Sequence, residues 1–220
     1  MVESPDEHDL RIELGQVTME SIRQHPSPRS RAEEVVHAVG TPRHAEFAIY
    51  LALSAWRTLR THAESHPNRE CGGFLLGDLC CETDHGCYLE IAHALPAQHT
   101  EGNIAELRFT QASWATLHRQ QTDYPGMKVT GWYHTHPGFG AFFSSHDIFT
   151  HRAFFRLQHQ LGVVYDPLKR SIRCYYWSSR TLVEAPGWYL YGSTSRRSEV
   201  RTEAEALNAA LHRGRIANRR

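Results

Sequence analysis

No run in this sequence approaches the length of a membrane-spanning helix, so a helical anchor is not expected. An excess of either charge is missing too. Lys+Arg and Asp+Glu both number 24 in 220 residues, which gives no chain-level reason to expect nucleic acid or an acidic membrane as partner. Cysteine is scarce, five in all and an odd number, so no disulfide framework is expected. Cys80-Cys81 with His85 and Cys87 lacks the Cys-x-x-Cys spacing and the second half of a structural zinc cluster. Cys174, inside an apolar run, reads as a small buried residue. No internal repeat is visible. The opening Met1-Val2-Glu3-Ser4-Pro5-Asp6-Glu7 is acidic and polar where a secretion signal needs a basic start and an apolar stretch. The expectation is a soluble, cytoplasmic protein of one domain with a full core, plus extensions.

What the sequence has is histidine, sixteen of them. Most must be ordinary surface or packing residues. Two stand out in Gly131-Trp132-Tyr133-His134-Thr135-His136-Pro137-Gly138-Phe139-Gly140, which Ala141-Phe142-Phe143-Ser144-Ser145-His146-Asp147 follows. The apolar run Lys128 to Tyr133 reads as a strand. Side chains alternate faces along a strand, so His134 and His136 aim two imidazoles at one point and Thr135 faces away. Pro137 and Gly138 break the strand. Asp147 falls in the first turn of a helix expected over Ser145 to Leu157. Two nitrogens and one carboxylate oxygen leave a fourth tetrahedral position open, as in catalytic rather than structural zinc sites. Alone, His-x-His also suits an exposed strand, and Ser-x-x-Asp is a helix capping box with Ser144 as cap. The capping and ligand roles of Asp147 are compatible, because a capped helix start is a rigid mount.

The whole string, with seven residues between His136 and Ser144, resembles the signature His-(Ser/Thr)-His-x7-Ser-x-x-Asp of the JAMM/MPN+ zinc metalloproteases. It is most similar to the deubiquitinase and deneddylase members of the proteasome lid and the signalosome. That family also carries an upstream glutamate at the start of a Gly-rich strand. Asn68-Arg69-Glu70-Cys71-Gly72-Gly73-Phe74-Leu75-Leu76-Gly77 matches it, with Glu70 in the glutamate's place. The resemblance covers roughly His44 to Trp188. It implies an α/β (α+β) fold: a single MPN domain, cytidine-deaminase-like, with a central mixed β-sheet flanked by helices. The expected division is an N-terminal extension over 1–43, the metalloprotease domain over 44–192, and a C-terminal helix with a basic tail over 193–220.

The resemblance further implies one catalytic Zn2+ held by His134, His136 and Asp147. Glu70 would take a proton from the attacking water and later deliver one to the leaving amine. Ser144 would donate its hydroxyl to the oxyanion. Gly138, Phe139, Gly140, Phe142 and Phe143 would line a groove for the narrow Gly-Gly tail of a ubiquitin-like modifier. That modifier or its conjugates would be the substrate, with activating and conjugating enzymes of the same pathway as further partners. Ala141 stands where lid-type members carry cysteine, which changes no ligand. Processing of a small sulfur-carrier protein, or a non-catalytic scaffold role in a larger assembly, are the alternatives. The intact ligand set and Glu70 weigh against the scaffold. Cys71 is unsuited as a nucleophile because it faces away from Glu70, and a nearby carboxylate raises a thiol's pKa. His146 points about 100° away from Asp147 on the helix and is expected outside the ligand set.

Elsewhere, strands are expected over Glu46–Leu51, Tyr88–Ala94, Gln160–Tyr165 and Ser171–Trp177. The last two form a hairpin about Asp166-Pro167-Leu168-Lys169. Helices are expected over Ala52–Ser65, with Leu53, Trp56 and Leu59 inward, and over Ser113–Gln121, with Trp114 and Leu117 inward. A last helix would bury Val200, Ala204, Leu207 and Leu211. In the N-terminal extension a short strand is expected at Leu10–Leu14, and helical turns at Met19–Gln24 and Ala32–Val39.

Overall fold

Two of the apolar runs explain the architecture. Ala48–Ala52 and Leu161–Asp166 are buried at every position, which is the pattern of strands covered on both faces. The computed structural model describes residues 22–42, 47–98, 101–103 and 106–217. In chain order its elements are β1 (Arg23–Gln24), β2 (Glu34–Gly40), β3 (Ala48–Ala52), α1 (Leu53–Glu64), β4 (Gly72–Glu82) and β5 (Gly86–Pro96). There follow β6 (Glu101–Asn103), β7 (Glu106–Arg108), α2 (Gln111–Gln121), β8 (Lys128–Thr135) and α3 (Ser145–Phe154). The chain then runs through β9 (Leu161–Asp166), β10 (Ser171–Ser178), β11 (Thr181–Glu184), β12 (Gly187–Ser193) and α4 (Arg197–Ala217).

Ten strands form one mixed sheet in the order β11-β10-β9-β8-β4-β5-β3-β12-β2, with β1 alongside the far end of β4. Strand β8 lies antiparallel to β4 and parallel to β9, so the end of β8 emerges at the start of β4. Alternation along β4 divides the core. Leu75 joins one cluster with Tyr133, Trp56, Leu59 and Leu207, while Phe74 and Leu76 join a second with Trp132, Leu117 and Phe155. Helices α1 and α4 thus cover one face, and α2 and α3 the other. On α1 the buried positions Leu53, Trp56, Leu59 and Ala63 fall at helical spacing, and on α4 Val200, Ala204, Leu207 and Leu211 are buried as their spacing implies. Each such large aliphatic side chain contributes about 1.5–3 kcal/mol by leaving water.

Three expectations need correction. Ala32–Val39 does not form helical turns: Glu34–Gly40 is a strand paired along its whole length with β12, from Gly40 opposite Gly187 to Glu34 opposite Ser193. Val35 and Val39, both buried, sit four apart, a spacing that one helix face and one strand face share; the β-branched composition and the neighbour β12 favour the strand. Arg23–Gln24, expected in a helical turn, is a short strand parallel to Cys80–Cys81. Residues 10–14 and 19–21 lie outside the described residues. Cys81 and Cys87 form a disulfide, hidden by the odd count. They face each other across the β4–β5 hairpin, while Cys80 is opposite Tyr88. Among the described residues no helix is long and apolar enough to cross a membrane.

Candidate functional site

Strand β8 brings His134 out beside Gly72 at the start of β4, and His136 follows just past its end. The two Nε2 atoms lie 3.2 Å apart. Asp147 comes from the first turn of α3, where it is half of a capping box. Its N–H donates to Ser144 Oγ at 3.2 Å, and its Oδ2 accepts the Ser144 N–H at 2.6 Å. The same carboxylate places Oδ1 3.1 Å from His134 Nε2 and Oδ2 3.4 Å from His136 Nε2. Glu70 Oε1 is 3.6 Å from His136 Nε2. All four side chains are buried.

These distances can be compared with what a cation would need. A tetrahedral site with metal–ligand bonds of about 2.0–2.1 Å has edges of about 3.3 Å. The two Nε2 atoms are one such edge apart at 3.2 Å, and each lies 3.1 or 3.4 Å from a different oxygen of the Asp147 carboxylate. Taking one ligand atom from each residue, the three lie within 4.8 Å of one another, so one ion could draw all three together. Nδ1 of His134 is buried without a hydrogen-bond partner among the described residues, whereas His136 has a backbone interaction with Gly140. A buried unpaired polar group costs about 1–3 kcal/mol, so His134 is poorly explained as a device for stability. The charges of the three residues are already tuned. Burial alone would raise the Asp147 carboxyl, yet His134, His136 and Ser144 hold it well below the usual range. Burial lowers His134. It would lower His136 too, but Asp147 and Glu70 outweigh it and raise that imidazole.

Packing fixes the rings. The Trp132 indole stacks on His134, centroids 4.5 Å apart and planes 11° from parallel, and its Nε1–H donates to His151 Nδ1 at 3.0 Å. Thr135 faces the other way. Its hydroxyl accepts the Cys71 N–H at 2.9 Å, and its own N–H donates to the Cys71 carbonyl at 2.9 Å. Glu70, one residue earlier, is thereby held against His136. Burial pushes the Cys71 thiol up to about 11, which leaves it a poor nucleophile.

The loop after His136 turns on Gly138 and Gly140, with φ of +84° and +93°, a region that side chains disfavour. Asp166, fully buried, pins it: Gly138 N–H donates to Oδ1 at 3.0 Å and Gly140 N–H to Oδ2 at 2.7 Å. Leu168 and Lys169 N–H donate to the same carboxylate at 2.9 and 3.0 Å. Phe139 and Phe142 are 55% and 38% exposed, on the rim with Gly138 and Gly140. Phe142 sets its ring edge-on to His136, 4.9 Å away. Phe143 goes inward, stacked on Tyr175 at 4.4 Å, against the backbone of Gly162, where a Cβ would strike its ring. Ser144 is half-buried at the cap, and His146 is outside the group of converging ligand atoms. Thr135, Trp132, His151 and Asp166 have supporting roles that sequence reasoning missed. Only Asp166, next to Pro167 in a turn, carried a signal, and it pointed to the hairpin rather than to the loop.

A family model described as prokaryotic homologs of the JAB domain matches residues 52–201. The chain belongs to the JAB-domain family. The proteasome subunit "26S proteasome non-ATPase regulatory subunit 14" of Dictyostelium discoideum is 30% identical over 138 residues, 62% of this chain and 44% of that one. "COP9 signalosome complex subunit 5" of Caenorhabditis elegans is 29% identical over 124 residues, 55% and 33% of the two chains. "Ubiquitin carboxyl-terminal hydrolase RPN11" of Saccharomyces cerevisiae is 28% identical over 122 residues, 55% and 39%. The JAB-domain chain thus aligns with less than half the length of each of these relatives. Its mixed sheet with helices on both faces agrees with the α+β fold expected from the motif resemblance.

Proposed function

We propose that this JAB-domain protein is a zinc-dependent isopeptidase that cleaves after the C-terminal glycine tail of a ubiquitin-like modifier. The observation that carries the reading is the buried convergence of His134 Nε2, His136 Nε2 and the Asp147 carboxylate, with the Glu70 carboxylate beside them. The printed name of the yeast relative, a ubiquitin carboxyl-terminal hydrolase, supports the substrate class.

On this reading His134, His136 and Asp147 hold the ion. Zinc there supplies acidity: it takes a water's pKa from about 15.7 to about 7, on the order of 12 kcal/mol toward hydroxide. Glu70 accepts the water's proton on its carboxylate and returns one to the nitrogen of the leaving amine. Ser144 Oγ accepts the Asp147 N–H, so its own proton can be donated to the oxyanion, a contribution of about 3 kcal/mol. Burial of all four side chains keeps bulk water from screening these interactions. The rim of Gly138, Phe139, Gly140 and Phe142 admits the substrate tail, and glycines in that tail suit a passage bounded by aromatic rings. Phe143 supports His134 from beneath.

The test is cleavage of a lysine isopeptide-linked to a Gly-Gly-ending modifier. Chelation should abolish cleavage and added zinc restore it, and Asp147→Ala should lose activity together with the zinc held at the His134 site. Cleavage that persists after complete chelation contradicts the reading. Zinc held at the His134 site without cleavage of any modifier favours a scaffold.

A further inference from the structure

The strand pair that presents His134 and His136 has ligand atoms on its reverse side as well. His62, in the last turn of α1, His66, just beyond that helix, and Cys71, just before β4, each offer one ligand atom, and the three lie within 4.8 Å of one another. None of them has a part in the chemistry proposed above. The two histidines are four apart, a spacing that puts side chains on one side of a helical path, and their ring centroids are 5.0 Å apart.

The hydrogen bonds orient the rings. His66 Nδ1 is 3.0 Å from the His62 carbonyl and 3.0 Å from Ser65 Oγ. A carbonyl can only accept, so this Nδ1 carries the proton and Nε2 keeps a free electron pair. His62 Nδ1 meets the Tyr133 hydroxyl at 2.9 Å. An oxygen partner on one ring nitrogen fixes the tautomer of an imidazole and leaves the other nitrogen able to bind a metal. Among the described residues neither Nε2 has a hydrogen-bond partner. Cys71 Sγ has two loose contacts, each 3.7 Å, to the His62 carbonyl and to Thr135 Oγ1.

We propose that His62, His66 and Cys71 form a second metal site, for a thiophilic divalent cation of the zinc class, with solvent in the fourth position. Two imidazoles and a thiolate select zinc or cobalt over magnesium or calcium. Tetrahedral edges for such a set are about 3.3–3.6 Å, so the three ligand atoms, now within 4.8 Å of one another, draw closer when an ion binds. On binding, the Cys71 sulfur gives its proton to solvent and its electron pair to the cation, with no change of oxidation state. The ion ties the end of α1 to Cys71, and so braces Glu70, one residue away, from behind. The inference does not depend on the reading of His134, His136 and Asp147.

Cobalt(II) titration of the full chain tests it, because a thiolate ligand gives a near-ultraviolet sulfur-to-cobalt charge-transfer band that a His/His/Asp centre cannot. The band should appear in the wild type and persist in Asp147→Ala, which disables only the first centre. It should vanish in Cys71→Ser, and in His66→Ala, a partly exposed position, it should need at least about tenfold more cobalt. Absence of the band in the wild type overturns the proposal. So does a band that Cys71→Ser leaves in place, or one that Asp147→Ala removes. None of these readouts requires activity, so failure here is distinguishable from failure of the isopeptidase reading.

Discussion

Thr135 and Cys71 exchange two hydrogen bonds, the Cys71 N–H to the Thr135 hydroxyl and the Thr135 N–H to the Cys71 carbonyl, both 2.9 Å. Thr135 lies between the two histidines and Cys71 directly after Glu70, so this pair sets the distance from the carboxylate to His136. Thr135→Val keeps the shape and removes the hydroxyl acceptor. Leaving a buried N–H unpaired should lower stability by about 1–3 kcal/mol. A displacement of Glu70 by about 1 Å should cut kcat up to about a hundredfold with zinc content unchanged. Wild-type kcat in this variant would remove Thr135 from the account as a positioning residue.

Asp166 should behave as the clamp of the rim loop. Its carboxylate accepts four backbone N–H groups, and in Asp166→Asn the amide NH2 must face one or more of those donors. Hydrogen exchange at Gly138 and Gly140 should accelerate, and stability should fall by about 1–3 kcal/mol. Unchanged protection at both glycines would show that the carboxylate is dispensable for the loop.

The phenylalanines should separate into two kinds. Phe143→Ala removes a ring packed on Tyr175, Trp132 and His134 and should destabilise the fold by about 3 kcal/mol. Phe139→Ala, at an exposed position, should change stability by no more than about 0.5 kcal/mol but raise KM for a modifier conjugate. Thermal melts and steady-state kinetics on the two variants check this, and a reversed pattern would contradict the assignment of rim and support.

Acid should weaken the metal-free fold through its buried histidines. Burial lowers His151 from 6.5 to about 3 and His62 from 6.5 to about 4. Between those limits the unfolded chain binds protons that the folded chain refuses, so stability is whole above about pH 6.5 and declines as pH falls from there. His151 alone contributes a slope of about 1.4 kcal/mol per pH unit. Denaturant melts of wild type and His151→Gln, compared from pH 7 to pH 4, isolate that slope. Parallel pH profiles would mean that His151 is not held neutral.

The strand ending at His134 and the capped helix start at Asp147 are legible in the sequence, because both are written in short-range patterns: alternation, a Pro-Gly break, and Ser-x-x-Asp. The final helix is legible from the spacing of Val200, Ala204, Leu207 and Leu211. Strand β2 is not, since Val35 and Val39 fit either periodicity and only pairing with β12 decides between them. Cys81 and Cys87 meet through hairpin register, which composition does not encode. Asp166 serves a loop 26 residues before it in the chain, and Thr135 reaches Cys71 across the sheet. His62 and His66 meet Cys71 only once α1 is laid against the start of β4. What local pattern leaves unreadable here is long-range partnership.

The most direct measurement of the central claim is zinc content together with isopeptide cleavage for wild type and Glu70→Gln. Glutamine keeps the size of the side chain and cannot carry the proton, so the variant should retain its zinc at the His134 site and lose at least about a hundredfold in kcat. A zinc-loaded Glu70→Gln protein that cleaves at the wild-type rate would contradict the assignment of Glu70, and with it the proposed mechanism.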